Sequence, residues 1–285
     1  MSAQRCWVDG RAGSGVPADD RGLAYGDGLF ETVLVVEGRP VWWEAHLDRL
    51  EHGAAVLGIV APARGLWWND LLAARAELPG LARGRWVARL TLTRGSGPRG
   101  YALRAPMRPR RILALAPAPA CADAARHGLR LRWCRTALAV QPALAGLKHL
   151  NRLEQVLARQ EWNEPGIDEG LMCDTRGAVV SAISANLLCL TGRGWVTPPV
   201  TQAGVAGVCR RMLLENGWVG EGELRCDEVD GARALAVCNS VRGILPVRQL
   251  GTRGWGIEPE LRALQRRLAA IEPAFHHPFL DDELA

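Results

Sequence analysis

Lysine is almost missing from this chain. Of the 35 basic side chains among its 285 residues, only Lys148 is a lysine; the rest are arginines. Tyr and Phe are also scarce, at 2 and 3, beside 11 Trp and 32 Gly. A biased genome composition leaves such a pattern and accounts for the missing lysines. Arginine can replace lysine wherever only a solvated charge is needed. It cannot where an amine must lose its proton or form an imine, because a guanidinium stays protonated in proteins. Chance and function both remain open for Lys148 until its neighbourhood is read.

Other absences narrow the class. No two of the eight cysteines make a CxxC pair, and no His/Cys cluster has zinc-ligand spacing, so no metal is expected. Several cysteines lie in apolar runs such as LAVCNS and NLLCL, as the buried, reduced thiols of a cytosolic protein do. The opening MSAQRCWVDGRAG holds no apolar stretch of a signal peptide. No apolar run approaches the ~18–20 residues of a membrane span. The expectation is a cytoplasmic protein with no membrane partner. The net charge of +5 comes from arginines scattered among 30 acids, without a dense basic run, so no nucleic-acid partner is expected. Neither a repeat nor a low-complexity tract is present. With 48% hydrophobic and 23% charged residues the chain reads as globular. At about 150 residues per domain, its length suits two domains or one large one.

The pattern of elements is α/β or α+β in two parts. RCWVDGRAGSG reads as a strand and a turn at Asp9-Gly10, and LFETVLVVEGRPVWW as two strands joined at Glu37-Gly38. Leu47, Leu50, Ala54 and Leu57 have helical spacing, and a second helix follows around WNDLLAARAEL. RWVARLTLTRGSG is a strand ending in a Gly-rich loop; RRILALAPAPA is a strand running into a Pro/Ala connector. The boundary falls near residues 117–125. Beyond it LRLRWCRTAL alternates as a strand. LAGLKHLNRLEQVLARQEW reads as a helix with a stripe of Leu147, Leu150, Leu153 and Leu157. That spacing places Lys148 in or just before the first turn, at the positive end of the helix dipole, with Asn151 and Arg152 on its face. EGLMCDTRGAVVSAISANLLCLTGRGWVTPP breaks into strands at DTRG and TGRG. TQAGVAGVCRRMLLENG is a loop entering a helix, with Gly217 as its C-cap. LRCDEVD and ARALAVCNSVRGILPVRQL supply further strands, and the tail carries no clear signal.

Three segments of the second half combine chemically. One is Lys148. The second is AGVAGVCRR, a Gly-containing loop leading into a helix N-terminus, where free N–H groups suit a phosphate. The third is VCNSVRG, a strand end with Asn239 and Ser240, whose hydroxyl can add a phosphate hydrogen bond. An imine-forming lysine beside a phosphate cradle is what pyridoxal 5′-phosphate (PLP) chemistry requires.

These residues resemble the fold-type IV PLP enzymes, the group of branched-chain and D-amino-acid aminotransferases and 4-amino-4-deoxychorismate lyase. The resemblance runs from DRGLAYGDGLFET at 20–32 to CNSVRGILPV at 238–247. GLKHLNRLEQV, TRGSGPRGY and QAGVAGVCRR look most like the lyase. The resemblance implies a smaller N-terminal α/β sandwich, residues 1–118, and a larger C-terminal pseudo-barrel domain that binds PLP, residues 119–285. It implies a homodimer. It also implies that Lys148 carries PLP as an imine, that Arg49 anchors the cofactor phosphate, and that Val208 and Cys209 give it backbone N–H groups and Ser240 a hydroxyl. Arg99 and Tyr101 would line the substrate mouth, where a guanidinium suits a substrate with two carboxylates. Asn239 is a further candidate for a substrate contact.

One position departs from the resembled pattern. The group usually has a glutamate five residues before the Asn of its ANLF motif, paired with the pyridine nitrogen. In SAISANLL that Asn is Asn186, and five residues back stands Ser181. A hydroxyl leaves the nitrogen neutral and weakens the electron sink, which favours an elimination over transamination. The reading is a lyase converting 4-amino-4-deoxychorismate to 4-aminobenzoate and pyruvate, a step toward folate. Two others stay open: an aminotransferase of the same fold acting on a branched-chain or D-amino acid, and a non-catalytic PLP or metabolite binder. For the lyase, a free amine near pKa ~10.4 must be brought to roughly 7–8 to act as a base.

Overall fold

The computed structural model describes residues 5–13, 15–103 and 107–282. They fall into two compact units, Met1–Pro119 with Leu147–Asn151, and Ala120–Gly146 with Arg152–Ala285. The lysine segment therefore packs with the first unit and not, as the sequence division has it, with the second.

The first unit contains strands β1 (Arg5–Val8) and β2 (Arg11–Ala12), helix α1 (Arg21–Tyr25), β3 (Gly28–Val36), β4 (Arg39–Pro40), helices α2 (Trp43–Leu57) and α3 (Arg64–Glu77), β5 (Arg85–Thr93) and β6 (Arg110–Pro117). Its six strands make one antiparallel sheet in the order β2-β1-β6-β5-β3-β4. The hairpin turns at Asp9-Gly10 and Glu37-Gly38 place both central residues at positive φ, 50° and 80° in one and 51° and 80° in the other. Such turns match the twist of the strands they join. Along β3 the side chains alternate between faces. Leu29, Glu31, Val33 and Val35 share the face covered by α2, which buries His46, Leu47, Leu50, Gly53 and Ala54. A Cβ on Gly53 would stand 2.8 Å from a Leu29 methyl, so glycine permits this close approach.

The second unit begins with helix α4 (Ala122–His127), β7 (Leu129–Trp133), α5 (Leu153–Arg159), β8 (Glu169–Cys173), β9 (Val179–Ala182), β10 (Asn186–Thr191) and β11 (Gly194–Thr197). It continues with α6 (Val208–Glu215), β12 (Gly220–Glu221), α7 (Cys226–Asp230), β13 (Ala234–Asn239), β14 (Gly243–Leu250), β15 (Arg253–Gly254), α8 (Pro259–Ile271) and α9 (Phe279–Asp282). The strand order is β12-β11-β10-β13-β14-β7-β8-β9, and β9 pairs back onto β10 through Ser181 and Asn186. Six strands, β10-β13-β14-β7-β8-β9, thus close into a pseudo-barrel. Its two parallel pairings are β14 with β7 and β7 with β8. Leu131, Leu171, Leu187, Leu235, Val237 and Leu245 belong to its buried core. The architecture is mixed α/β, an antiparallel sheet unit followed by a pseudo-barrel unit, as the fold class read from the sequence requires.

Several elements differ from the sequence reading. The helix expected through Lys148 begins only at Leu153, and Arg152 precedes it as N-cap. Lys148 lies in an extended segment, so the helix-dipole argument does not apply to it, and Asn151 and Arg152 do not share a helix face with it. Leu147 is buried, but Leu153 and Leu157 are 75% and 55% exposed, so the leucine stripe is not one core face. The physical reason is a strand edge. Beside Gly28–Phe30, β3 has no β4 partner, since β4 pairs only with Val35 and Val36. The lysine segment satisfies that edge: Phe30 N–H donates to Lys148 O at 2.9 Å and Leu150 N–H to Gly28 O at 3.0 Å. Unpaired backbone groups outweighed a helical spacing of leucines. LRCDEVD, read as a strand, is helix α7 from Cys226, where the Glu228 carboxylate accepts the Arg225 N–H at 2.9 Å, as in half of a capping box. Helices α4 and α8 escaped the sequence reading, although Pro259 at the start of α8 and the Leu261, Leu264, Leu268 spacing signalled it. Helix α6 ends at Glu215 with Asn216 as cap, and Gly217 follows at φ 68°.

A Cβ on Gly28 would stand 2.4 Å from the Leu92 carbonyl oxygen and 2.9 Å from Leu150 Cδ1. Gly28→Ala is therefore expected to destabilise the protein by about 1–3 kcal/mol through overpacking. Urea unfolding midpoints check this; an unchanged midpoint would contradict the account of the edge.

Candidate active site

Lys148 is held by main chain and by an aromatic ring. Its carbonyl accepts from Phe30, and His149 pairs with Leu29 as an isolated antiparallel bridge. The alternation of the pairing turns Lys148 toward the Phe30 face of the sheet. There its Nζ lies 4.2 Å from the Phe30 ring centroid, and the Arg89 guanidinium lies 3.9 Å from the same centroid. The ring's negative face attracts both cations.

The opposite face of β3 carries a buried charge cluster. Glu31 is 1% exposed, and Arg49 on α2 engages its two carboxylate oxygens, with Nε donating to Oε1 at 2.8 Å and Nη2 to Oε2 at 2.5 Å. His46, one turn earlier and fully buried, brings Nδ1 to 2.6 Å from Glu31 Oε2. An ionised carboxylate only accepts, which assigns the proton of neutral His46 to Nδ1. Burial of Glu31 opposes its ionisation, but the Arg49 charge and the hydrogen bonds from His46 and Arg49 outweigh it and hold the carboxyl at about 2. Burial pushes His46 down. Glu31 works against that, and the positive charges of Arg49 and Lys148 add to it, so the imidazole stays neutral. Arg49 is thus a partly buried fork held by Glu31 and not a solvated helix charge. Neither Glu31 nor His46 was picked out from the sequence. The signal was present as His46 and Arg49 three residues apart on one helix face, both toward a strand with an acid at an inward position.

Arg99 and Tyr101 lie in the exposed loop after β5. Tyr101 is 84% exposed and its ring centroid is 5.6 Å from that of Tyr25. The Tyr25 hydroxyl accepts the Gly100 N–H at 2.9 Å, and Arg21 Nη1 donates to Gly100 O at 2.8 Å, so the backbone between Arg99 and Tyr101 is fastened to α1.

In the second unit, the strand ends that close the pseudo-barrel gather the remaining candidates. Ser181 pairs with Asn186, Asn186 pairs with Cys238, and Asn239 and Ser240 follow directly. Asn186 Nδ2 donates to Val205 O at 2.9 Å, and a Cβ on Gly207 would stand 2.0 Å from Asn186 Oδ1. Asn186 thereby pins the loop that enters α6. Gly146 holds the same loop, donating to Gly204 O at 3.1 Å and accepting from Ala206 at 2.9 Å. One residue, Leu147, separates this Gly146 from Lys148. Val208 and Cys209 are the first two residues of α6, after a Gly207 N-cap that offers no side-chain cap, and the first turn holds no acid. Their N–H groups are among those that a helix cannot satisfy internally. Cys209 is buried against Cys238, whose sulfur hydrogen bond and burial push its thiol up. An uncapped, acid-free helix start with a glycine that admits no Cβ fits a phosphate. The buried Ser240 is at the adjoining strand end. The Asn239 Oδ1 accepts from Val241 at 3.0 Å and Arg242 at 2.9 Å, and its Nδ2 donates to Ser184 O at 3.3 Å. It builds the turn. Among the described residues, no group of three or more His, Cys, Asp or Glu is arranged to hold a metal ion.

Comparison with known proteins agrees with this architecture. Residues 28–250 match the model of the amino-transferase class IV family. The aminodeoxychorismate lyase of Vibrio harveyi is 32% identical over 270 residues, covering 92% of this chain and 97% of that protein. The crystal structure of 4-amino-4-deoxychorismate lyase from Pseudomonas aeruginosa superimposes with a TM-score of 0.86 at 45% identity, covering 93% of this chain and 98% of that one. A hypothetical aminotransferase from Mycobacterium tuberculosis, solved in a PLP-bound form, shares the fold, with a TM-score of 0.77 at 23% identity and coverage of 94% and 99%.

The Glu31 cluster sets an acid limit. Folding lowers the Glu31 pKa from 4.5 to about 2, so its ionisation stabilises the fold above the unfolded value and that contribution is lost as pH falls from 4.5 to 2. Glu31→Gln is expected to flatten stability against pH in that window. It should also destabilise the fold at neutral pH, by at most about 3–5 kcal/mol, because the partly buried Arg49 loses its carboxylate. Urea midpoints of both proteins across the window check this; parallel curves would refute the assignment.

Proposed function

The chain belongs to the amino-transferase class IV family of fold-type IV PLP enzymes, and on that premise we propose that it is an aminodeoxychorismate lyase, converting 4-amino-4-deoxychorismate to 4-aminobenzoate and pyruvate. The observation that carries this reading is the single lysine, fixed through its own carbonyl to β3 within a chain 45% identical to a lyase of that name. Ser181, where the resembled group places an acid, supports elimination over transamination.

When bound, PLP supplies the electron sink for the substrate carbon that bears the nitrogen. The residues of this chain do the rest. Val208 and Cys209 N–H groups and the Ser240 hydroxyl bind the phosphate, and Arg49, oriented by Glu31 and His46, adds its positive charge. Ser181 offers a hydroxyl and no charge at the pyridine nitrogen. Arg99 and Tyr101 receive the substrate's carboxylates. Once it has given up its own proton, the Nζ of Lys148 takes the proton from the carbon bearing the nitrogen and returns it to the departing enolpyruvate, while the ring gains aromaticity. The proposal places the protein in the cytoplasm as a homodimer; the exposed Leu153, Val156 and Leu157 of α5 support a covered surface there, and a monomer mass in solution would count against it. No helix among the described residues is long and apolar enough to cross a membrane.

Borohydride reduction of the PLP-loaded protein followed by peptide mapping is expected to leave a pyridoxyl group on Lys148, and absence of label would sink the PLP-enzyme reading. Lys148→Ala should reduce pyruvate release by at least roughly 100- to 10,000-fold. The family also contains aminotransferases. Accumulation of the pyridoxamine form with branched-chain or D-amino acids, without pyruvate release from 4-amino-4-deoxychorismate, would favour that activity instead. Bound PLP with neither activity would favour a non-catalytic binder.

Ser181→Glu is expected to raise any transaminase side activity. Half-reaction spectra read it, and an unchanged rate would remove Ser181 from the argument.

A further inference from the structure

All eight cysteines are thiols, and in the second unit two pairs of them touch. Cys209 and Cys238 share a sulfur hydrogen bond, but they are 0% and 1% exposed, out of reach of any solvent reagent. Cys173 and Cys226 differ. Cys173 is the last residue of β8, Cys226 is the first of α7, their sulfurs are 3.6 Å apart, and Cys226 is exposed. The proposed reaction uses neither thiol.

We propose that Cys173 and Cys226 form a reversible disulfide in the presence of a hydroperoxide, with Cys226 reacting first and Cys173 resolving it. Closing the pair to a bond length of about 2.05 Å asks the sulfurs to approach by roughly 1.5 Å. Cys226 sits at the exposed first position of a five-residue helix, where a side-chain rotation can supply that movement. The Cys226 thiolate attacks a peroxide oxygen, the O–O bond breaks, and a sulfenic acid and one water result. The Cys173 sulfur then attacks the sulfenic sulfur, the S–O bond breaks, and the hydroxyl leaves as a second water carrying the remaining thiol proton. Two electrons pass from the sulfurs to the peroxide.

The order of reaction follows from access. Burial, then the contact with Cys226, then the charges of Asp174 and Cys134 push the Cys173 thiol up to about 12, so on its own it is a poor nucleophile. Once Cys226 is oxidised, Cys173 is the sulfur in contact with it. The residues between the two, 53 positions apart, include Ser181 and the Val208–Cys209 helix start. Bridging them removes chain entropy from the unfolded state, so the oxidised protein unfolds at the higher temperature. The bond forms whether or not the chain carries the proposed activity.

Trypsin separates the relevant thiols: Cys134 falls in peptide 133–135, Cys173 in 160–176 and Cys226 in 226–233. The full chain is treated with hydrogen peroxide, remaining thiols are alkylated, and peptides are mapped. The expected product joins 160–176 to 226–233, lowers the intact mass by two hydrogens, raises Tm, and is removed by dithiothreitol. It is absent from Cys226→Ser, an exposed position whose replacement leaves the fold intact. In Cys173→Ser, Cys226 is expected to proceed to sulfinic acid. The proposal is overturned if Cys226 in the unmodified sequence reaches sulfinic acid while Cys173 stays alkylatable, if Cys173 bonds to Cys134 instead, or if no thiol is lost.

Discussion

Two main-chain hydrogen bonds, from Phe30 to the Lys148 carbonyl and from Leu150 to the Gly28 carbonyl, set the geometry of the first unit's candidate residues. They place the lysine on a strand and not on a helix, and a strand orients successive side chains to opposite faces. Phe30 then meets the ammonium, and Glu31, one residue on, meets Arg49 and His46. A one-residue slip of this pairing would exchange the two faces and turn Lys148 toward Glu31. The crowded Gly28, where a side chain would strike the Leu92 carbonyl, leaves little freedom for such a slip.

Charge balance in the Arg49 cluster depends on a single acid. Glu31 is buried among Arg49, neutral His46 and, farther off, Lys148. A buried carboxylate is tolerated only when its oxygens are bonded and opposite charge is close. Both conditions hold, and the result is an arginine whose direction is fixed in advance of the phosphate binding proposed for it. A preorganised guanidinium loses less freedom on binding a phosphate than a solvated one does. The neutral imidazole contributes a hydrogen bond without a second positive charge, which would compete with Arg49 for the carboxylate.

Much of the fold was legible in local signals. Asp9-Gly10 and Glu37-Gly38 announced their hairpins, Leu47, Leu50 and Ala54 announced α2, and the loop before Val208 announced a helix start open to an anion. The failures had a common cause. Leu153 and Leu157 keep helical spacing with Leu147 and Leu150, yet the helix starts only after Arg152 because an unpaired edge some 120 residues earlier in the sequence claims Lys148 and Leu150. Long-range pairing leaves no local trace. Glu31 and His46 were missed for the same reason, since each looks ordinary in its own segment. The Asn239 side chain also satisfies the backbone of its own turn, a task that VCNSVRG does not announce.

Ser181 occupies a mechanically sensitive place. The pseudo-barrel closes through its pairing with Asn186, and Asn186 in turn bonds Val205 and abuts Gly207 at the entrance to α6. The residue proposed to face the pyridine nitrogen and the residue that pins the loop entering α6 are therefore direct cross-strand neighbours. A change at Ser181 that disturbs the pairing would move the loop entering α6 as well as alter the charge at the proposed nitrogen contact. A glutamate there keeps a strand backbone but brings a longer, charged side chain to the closing pair. If that variant gained transaminase activity with unchanged PLP affinity, the electronic effect of the carboxylate alone would account for it. If affinity fell along with activity, closure of the pseudo-barrel would be the first property the serine protects, and its influence on the reaction would follow from the placement of the cofactor.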